Sequence, residues 1–319
     1  MSSRGAAISN VAMAVPGRVV PNKPIADRLG VDEAWILSRT GVAERRIADP
    51  SQRVADLASE ATVKVLEAAG CDPSSIDVLL VATMTAEDIT PNVAPVVADR
   101  VGLNSAACAD VGAACTGWLT ALQMAASQIE ANRAERVLVV GADLLSRVTD
   151  PDDRSTAGLF ADGAAAALVQ AHAGETRVGP VVLGTNPSGA DWIYARRPEG
   201  VIRMRGRETF AAAVDHLVDA TRSAISAVNL TLDDIDLFVY HQGNGRIIKA
   251  VGERLALAAD RVVVCIDRYG NTSAATIPIA LADVAGTGGL KQDQKVLLGA
   301  FGAGFTWGAT VVEWGTPDG

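Results

Sequence analysis

The most constraining feature of the sequence is an internal repeat with a spacing of 159 residues. Three short matches recur at this spacing, in the same order and without a net insertion between them. Chance seldom produces three matches at one offset, so the sequence predicts a duplicated α/β unit, with halves at residues 1–172 and 173–319. The matches are Ile76-Asp77 with Ile235-Asp236, Val137-Leu138 with Val296-Leu297, and Ala121-Leu122 with Ala280-Leu281.

Each half alternates helical patterns with strand patterns. Apolar residues at helical spacing predict a helix over Val54–Ala69, and Gly70 suits a left-handed helix end. Near-continuous apolar runs, such as residues 76–82, predict strands that are covered on both faces. Residues 262–266 are predicted as a further strand. The alternation predicts a layered α/β/α/β/α fold, with largely parallel sheets and the central helices shared between the halves.

The composition excludes several classes of protein. Hydrophobic residues make up 49% of the 319 residues and charged residues 20%, which indicates a globular chain with an ample core. A net charge of −9 argues against broad nucleic-acid binding, and no apolar run reaches the length of a membrane span. No signal peptide is apparent, and the four cysteines show no paired spacing. We therefore expect a cytoplasmic protein with no metal site and no nucleic-acid or membrane partner.

One cysteine lies where a predicted strand passes into a predicted helix. Cys115 follows the small-residue run 112–114, and an amphipathic pattern continues to about Asn132. A thiol at a helix N-terminus is close to the positive end of the helix dipole, which favours the thiolate. A thiolate can attack a thioester and hold the acyl group. The alternative is an ordinary buried cysteine at a strand-to-helix junction.

Two stretches of the second half are expected to bring polar groups near this cysteine. His241 directly follows a predicted strand, and Asn271 begins the helix that matches the Cys115 helix under the repeat. A pseudo-twofold axis would bring the two helix starts together at the centre of the body. Taken alone, His241 can be a structural histidine and Asn271 a helix N-cap. A glycine-rich turn that contains Ala303 follows the last predicted strand, where backbone N–H groups can stabilise an oxyanion.

Five motifs in this order resemble those of the thiolase superfamily. Within it, the chain is similar to ketosynthase III, the 3-oxoacyl-acyl-carrier-protein synthase that starts fatty-acid and some aromatic polyketide chains. The resemblance covers essentially the whole chain, and the five motifs together are specific although each alone is weak. They are Asp32-Glu33-x-Trp35-Ile36-x-x-Arg39-Thr40-Gly41, Ala113-Ala114-Cys115-x-Gly117, Phe160-x-Asp162-Gly163-Ala164, His241-Gln242-x-Asn244-x-Arg246-Ile247 and Gly270-Asn271-Thr272-Ser273-Ala274-Ala275.

The resemblance implies a thiolase-like fold and a decarboxylative Claisen condensation. Cys115 would take an acyl group from acyl-CoA, while the backbone N–H groups of Cys115 and Ala303 form the oxyanion hole. His241 and Asn271 would bind the carbonyl of a malonyl group on acyl carrier protein and stabilise the enolate. The family implies no cofactor beyond coenzyme A thioester and phosphopantetheine as substrates, and it implies a homodimer.

The resemblance also implies where coenzyme A binds. The adenine would lie between Trp35 and Arg154, and the pantetheine arm would pass along a tunnel towards Cys115. The further positions that match contacts of coenzyme A and pantetheine are Arg39, Thr40, Phe160, Met204, Phe210, Ala213, Gly243 and Asn244.

Two further sets of residues are assigned by the same resemblance. Phe301, Trp118 and Glu87 correspond to the acyl pocket and its gate, with the stretch around Glu87 reaching partly across the dimer. A basic patch on an acidic protein suits an acidic carrier protein. The patch consists of Arg246, Lys249 and Arg254. For Lys249 and Arg254, the alternative is ordinary solvated surface without a partner.

The sequence departs from the family pattern at several positions. Thr116 follows the cysteine, Trp118 stands where the family usually has phenylalanine, and Gly243 replaces an alanine. The segment 184–203 is shorter than usual, and Glu87-Asp88 places acids in the stretch that lines the acyl pocket. These departures leave the acyl substrate open.

Alternative functions compete with condensation. A pathway-specific acyltransferase on the same scaffold would load Cys115 without forming a carbon–carbon bond, but Asn271 favours condensation because simple transfer needs no enolate stabiliser. A catalytically silent partner subunit usually lacks the cysteine. A cysteine hydrolase also uses cysteine, histidine and asparagine in this order, but the duplicated plan does not fit it.

Overall fold

A computed structural model of the chain describes residues 4–315. Within this range, no helix is long and apolar enough to cross a membrane. Two 3₁₀ turns, Ala114–Thr116 and Ser273–Ala275, directly precede the helices α5 and α9 defined here. The helices are α1 (Asn22–Leu29), α2 (Glu33–Thr40), α3 (Val54–Ala69), α4 (Val93–Val101), α5 (Gly117–Glu130), α6 (Gly206–Ala227), α7 (Gly245–Arg254), α8 (Ile266–Tyr269) and α9 (Thr276–Gly286). The strands are β1 (Arg4–Ala14), β2 (Val19–Pro21), β3 (Glu44–Arg46), β4 (Val78–Ala82), β5 (Ala107–Val111), β6 (Arg136–Leu144), β7 (Asp162–Ala173), β8 (Val182–Thr185), β9 (Ile193–Ala195), β10 (Ile202–Met204), β11 (Leu237–Tyr240), β12 (Lys295–Gly302) and β13 (Thr306–Glu313).

The first half forms a mixed five-stranded sheet in the order β1-β7-β6-β4-β5. Strands β5, β4 and β6 are parallel, whereas β7 is antiparallel to both β6 and β1. The prediction of a largely parallel sheet was wrong here. No α-helix crosses between β6 and β7, so the chain returns antiparallel along its own neighbour.

The second half repeats this arrangement in a four-stranded sheet, β11-β12-β13-β8. Only β11 and β12 are parallel in it. Val78 pairs with Val137 in the first sheet and Leu237 with Val296 in the second, so equivalent pairs are 159 residues apart. The two 3₁₀ turns and the helices after them begin at the same spacing. The boundary proposed at 172/173 falls at the end of β7 and stays a prediction.

Helices cover both sheets and separate them, which gives the predicted α/β/α/β/α layers. α3 and α4 pack on one face of the first sheet, α6 and α7 lie on the second, and α5 and α9 lie between the sheets. A glycine in β6 permits the central contact, since a Cβ on Gly141 would lie 2.5 Å from the Ala274 carbonyl oxygen. The starts of α5 and α9 therefore meet at the centre of the body.

Two local predictions have opposite outcomes. The helix Val54–Ala69 is present as predicted and ends at Gly70 with φ 58°. The strand predicted over 262–266 is absent, and this segment makes only an isolated bridge between Phe238 and Val262. The Gln242 side chain accepts the N–H groups of residues 265 and 266, so these groups are not available to a sheet.

Candidate active site

The three side chains predicted to carry the chemistry meet in one cavity. Cys115, His241 and Asn271 line a cavity of about 460 Å³, together with Phe301. Each follows or ends a regular element: Cys115 lies in the turn before α5, His241 comes directly after β11, and Phe301 lies near the end of β12. The duplicated fold therefore collects residues that are far apart in sequence.

Cys115 lies in the 3₁₀ turn and not in α5, which begins two residues later. Ala114 has a left-handed φ of 46°, which turns the chain sharply towards the cavity. Burial raises the pKa of the Cys115 thiol to about 12, so the thiol is protonated at neutral pH. The prediction that the helix start favours a thiolate was wrong, because loss of solvent around the sulfur disfavours the charged form.

His241 is buried and neutral. Burial lowers the pKa of its imidazole to about 3, so the ring carries one proton at physiological pH. Its Nδ1 lies 2.5 Å from Thr276 Oγ1, and its ring packs edge-on to Phe301 with centroids 5.2 Å apart. A Cβ at Gly243 would lie 2.7 Å from His241 Nε2 and 2.9 Å from Phe301 Cζ. The glycine that departs from the family pattern therefore gives space to these two rings.

Asn271 has a structural contact on its oxygen and on one amide hydrogen. Oδ1 accepts the Ser273 N–H at 2.9 Å, and Nδ2 donates to the Gly243 carbonyl at 3.2 Å. Its backbone is fixed by bonds to Leu159 and Ala161. The amide group has two hydrogens, so one remains for a ligand in the cavity. The oxygen thus stabilises the turn, as the N-cap alternative required, while the nitrogen faces the site.

The end of β12 lies directly against the nucleophile. A Cβ on Gly302 would be 3.0 Å from Cys115 N, so a side chain there would displace the turn. A second, smaller cavity of about 40 Å³ is lined by Cys115, Ala303 and Ser273. Ala303 and Cys115 therefore border one small space, as two donors of an oxyanion hole must.

Most of the residues assigned to coenzyme A line the larger cavity. Arg39 lies over the Trp35 ring, 4.7 Å from its centroid, and Arg154 donates to the Leu29 carbonyl at 2.8 Å. Arg246 also lines the cavity and lies 5.3 Å over the Phe210 ring. The predicted residues that line this cavity are Trp35, Arg39, Thr40, Arg154, Phe160, Met204, Phe210, Gly243, Asn244 and Arg246.

Comparison with known proteins shows the family. The family described as 3-oxoacyl-[acyl-carrier-protein (ACP)] synthase III matches residues 109–187, and its C-terminal part matches residues 225–314. A Staphylococcus aureus (strain JH1) protein named beta-ketoacyl-[acyl-carrier-protein] synthase III is 39% identical over 304 residues, which cover 94% of this chain and 96% of that protein. The chain belongs to the 3-oxoacyl-acyl-carrier-protein synthase III family.

Solved structures agree with this membership. The synthase III of Pseudomonas aeruginosa PAO1 has a TM-score of 0.92 and 36% identity, with 99% of this chain and 100% of that chain covered. The priming β-ketosynthase of the R1128 polyketide pathway has a TM-score of 0.94 and 32% identity, with 99% and 98% covered. The chain is therefore a condensing enzyme with a thiolase fold, as the resemblance predicted.

Three residues assigned from the synthase III resemblance do not line either cavity of the single chain. Trp118 is fully buried in the core between the sheets, where its indole N–H donates to the Val139 carbonyl at 3.2 Å. Ala213 is fully buried within the core that α6 forms on the second sheet. Glu87 makes an ion pair with Arg147 at 2.8 Å and lines neither of the two cavities. The assignments of Trp118 and Ala213 to substrate contact were wrong, because both side chains pack inward from their helices.

The basic residues proposed for carrier-protein contact also differ from one another. Arg246 reaches the cavity mouth, whereas Lys249 is exposed and 3.7 Å from Glu253. Arg254 pairs with Asp215 on α6. Only the first of the three is therefore placed to act at the site itself.

Sequence reasoning missed several residues of this synthase III site. Thr276 is the first residue of α9, Ser273 lies in the turn before it, and Asp143 is a fully buried carboxyl near the end of β6. Thr209 lines the larger cavity with a buried hydroxyl that has no hydrogen-bond partner among the described residues. For Asp143, the available signal in the sequence was a polar residue at the end of an apolar strand, which is a position where site residues are often found. The apolar wall of the small cavity was also missed, and it includes Met84, Leu145, Ile193, Tyr194 and Ile202.

Proposed function

We propose that the protein transfers an acyl group from acyl-CoA to Cys115 and condenses it with malonyl-acyl carrier protein. The observation that carries the proposal is the convergence of Cys115, His241 and Asn271 on one cavity. The cavity continues to a mouth with Trp35 and Arg154, which suits the extended pantetheine arm of a thioester. The names of two relatives support the same reaction, since they are called beta-ketoacyl-[acyl-carrier-protein] synthase III and 3-oxoacyl-(acyl carrier protein) synthase III.

Acyl loading uses the small space beside Cys115. The thiol attacks the thioester carbonyl, the bond between that carbonyl and the coenzyme A sulfur breaks, and the released sulfur takes the thiol proton. Negative charge develops on the carbonyl oxygen during the attack, and the N–H groups of Cys115 and Ala303 are the donors for it. Because burial keeps the free thiol protonated, the transfer of the proton belongs to the loading step.

Condensation uses His241 and Asn271. The malonyl carboxylate leaves as carbon dioxide, and its electron pair forms an enolate on the thioester. His241 and the free amide hydrogen of Asn271 donate to the enolate oxygen. The enolate carbon then attacks the acyl carbonyl, the bond to the Cys115 sulfur breaks, and the thiol is regenerated with a proton from solvent.

The proposal extends to partners. An acidic carrier protein suits Arg246 at the cavity mouth, with Lys249 and Arg254 further along the same helix. We further propose a homodimer in the cytoplasm. Its support is β5, an exposed edge strand of the five-stranded sheet, because an unpaired edge can pair with a second copy. Ile89, which is 82% exposed beside Glu87, is an apolar side chain that a partner chain could cover.

Two measurements on one set of variants test the proposal. Intact-mass spectrometry after incubation with a panel of acyl-CoAs reports loading, and labelled carbon dioxide released from malonyl-carrier protein reports condensation. We expect Cys115→Ala to lose the added mass completely. Asn271→Ala should still load, but its condensation should fall by roughly two to three orders of magnitude, as when one oxyanion donor is removed.

The outcomes separate the alternatives. If the wild-type protein loads acyl groups but releases no carbon dioxide with any malonyl donor, it is an acyltransferase without condensation. If Asn271→Ala loses both steps equally, its role is to stabilise the turn. Light scattering that gives a monomer at micromolar concentration would contradict the dimer.

A further inference from the structure

Thr276 is a buried residue that touches the site without lining it. It is the first residue of α9, and its side chain is 2% exposed. Its Oγ1 lies 2.5 Å from His241 Nδ1 and 3.1 Å from the Ser273 carbonyl oxygen. A hydroxyl has one hydrogen to donate, so only one of these two contacts can be a donation from Thr276.

The choice decides which nitrogen of His241 carries the proton. If Thr276 donates to Nδ1, that nitrogen is an acceptor and the ring hydrogen is on Nε2. If Thr276 donates to the Ser273 carbonyl, it accepts from Nδ1–H and Nε2 has no hydrogen. Nε2 makes no hydrogen bond within residues 4–315, and the ring lines the cavity. The tautomer therefore determines whether His241 offers the cavity a donor or an acceptor.

The surrounding contacts favour donation to the histidine. The Ser273 carbonyl already accepts the backbone N–H of Thr276, so it does not depend on the hydroxyl. Nδ1 has no other hydrogen-bond partner among the described residues and would be an unpaired buried group without Thr276. An imidazole nitrogen is also a more basic acceptor than an amide oxygen, and it is the nearer of the two. We propose that Thr276 is a positioning residue that donates to His241 Nδ1 and thereby keeps the ring proton on Nε2.

This inference rests on the proposed function for its catalytic meaning. With the proton on Nε2, His241 donates a hydrogen bond to the malonyl carbonyl and to the enolate oxygen that forms from it. The same ring cannot take the Cys115 proton, since its cavity-facing nitrogen is already protonated. Thr276 should therefore matter for decarboxylation and not for acyl loading.

The tautomer can be measured without any substrate. The chain has three histidines, and labelling the full-length protein with ¹⁵N-histidine gives three ring systems in an NMR spectrum. The His241→Asn variant identifies the His241 signals by their loss. We expect a proton-bearing Nε2 and an unprotonated Nδ1 for His241 in the wild-type protein. The opposite assignment, or an even mixture, overturns the proposal whatever the enzyme's reaction is.

Two substitutions at Thr276 test the functional consequence. Thr276→Val retains the branched shape and removes the donor, and Thr276→Ser retains the hydroxyl. We expect Thr276→Val to shift the His241 tautomer and to lower the carbon dioxide release rate by about tenfold, the scale of one lost hydrogen bond, with loading within about twofold of wild type. Thr276→Ser should retain both. Equal loss of loading and carbon dioxide release, or no shift in the tautomer, contradicts the role.

Discussion

The turns before α5 and α9 are one piece of backbone that the protein uses twice. Ala114 and Ser273 match under the spacing of 159 residues, and both have a left-handed φ, 46° and 52° respectively. This conformation is strained for residues other than glycine. Its presence at both positions shows that the sharp turn belongs to the repeated unit and not to the nucleophile alone. The next residues are Cys115 in one turn and Ala274 in the other.

The two turns differ in what the opposite sheet presents to them. Asp143, in β6, accepts the Ala274 N–H at 3.3 Å and is further held by Thr85 at 2.9 Å. The position that matches Asp143 in the second half is Gly302 in β12, which lies against Cys115 N without a side chain. One turn thus has its N–H bound by a carboxylate of the protein. The other has its N–H beside a glycine and a small cavity.

This difference explains how a duplicated fold can have one oxyanion site and not two. A buried N–H without a partner is costly, so the second turn is satisfied internally by Asp143. At the first turn, the absence of a side chain at Gly302 leaves the Cys115 N–H for a substrate oxygen. The strained geometry is common to both turns, and the residue across from each turn decides whether it binds protein or ligand.

The largest effect is expected from a side chain added at Gly302. The Cβ of Gly302→Ala would lie 3.0 Å from Cys115 N and 3.1 Å from Cys115 Cβ, so the turn must move by a few tenths of an ångström. Because catalysis depends on the position of the nucleophile and its donor, we expect acyl loading to fall roughly 100-fold. Stopped incubations with acyl-CoA, followed by intact-mass spectrometry, give the loading rate.

A matched control separates this effect from a general loss of glycine. A Cβ on Gly286, at the end of α9, would meet nothing within 4 Å, so Gly286→Ala should load at the wild-type rate. If Gly302→Ala also loads within threefold of wild type, the space across from Cys115 is not what defines the oxyanion site.

The repeat was predictable from sequence because buried strands and central helices keep their residue types. The apolar pairs around Val137 and Val296 mark strands that are covered on both faces in both halves, and these strands pair with their neighbours at equivalent positions in the two sheets. Strand direction was not predictable in the same way. β7 returns antiparallel to β6 because no crossover helix lies between these two strands. An apolar run in the sequence indicates a buried strand but does not indicate the direction in which that strand pairs.

The convergence of the predicted nucleophile, histidine and asparagine came from motif resemblance and repeat symmetry, and the structure brings the three residues together. Trp118 was assigned to the acyl pocket, but its side chain packs in the core. Whether a residue near the start of α5 faces the site or the core depends on the rotation of the helix about its axis, which a single motif position does not define. The protonation of Cys115 was misjudged for another reason. Burial of the sulfur is a three-dimensional property, whereas the helix start was visible in the sequence.

A smaller effect is expected in stability at mildly acid pH, and it tests the burial of His241, which contacts Thr276 directly after the second turn. Burial lowers the pKa of His241 to about 3 in the folded chain, whereas an unfolded histidine titrates near about 6.5. As pH falls below the unfolded pKa, only the unfolded state takes the proton, so the folded state loses stability. Between pH 7 and pH 5 this contributes a loss of roughly 2 kcal/mol in the free energy of unfolding.

Urea unfolding at both pH values measures this loss. His241→Asn should lack it and show a pH dependence that is smaller by that amount. Identical pH dependence in wild type and His241→Asn would mean that the His241 imidazole is not buried beside the start of α9.

The smallest effect is expected from relieving the shared strain, and it compares the two turns directly. Ala114→Gly removes the steric cost of a Cβ in the left-handed backbone conformation. It should raise the free energy of unfolding by about 1 kcal/mol. Ser273→Gly relieves the same backbone and also removes a buried hydroxyl that makes no well-formed hydrogen bond, although it lies close to Cys115 and Asp143. We therefore expect a larger gain at Ser273 than at Ala114, measured by urea unfolding at pH 7. A gain at Ala114 with a loss at Ser273 would show instead that the hydroxyl holds the cysteine or the carboxylate in place, and that the two turns differ in their own side chains as well as in the residues across from them.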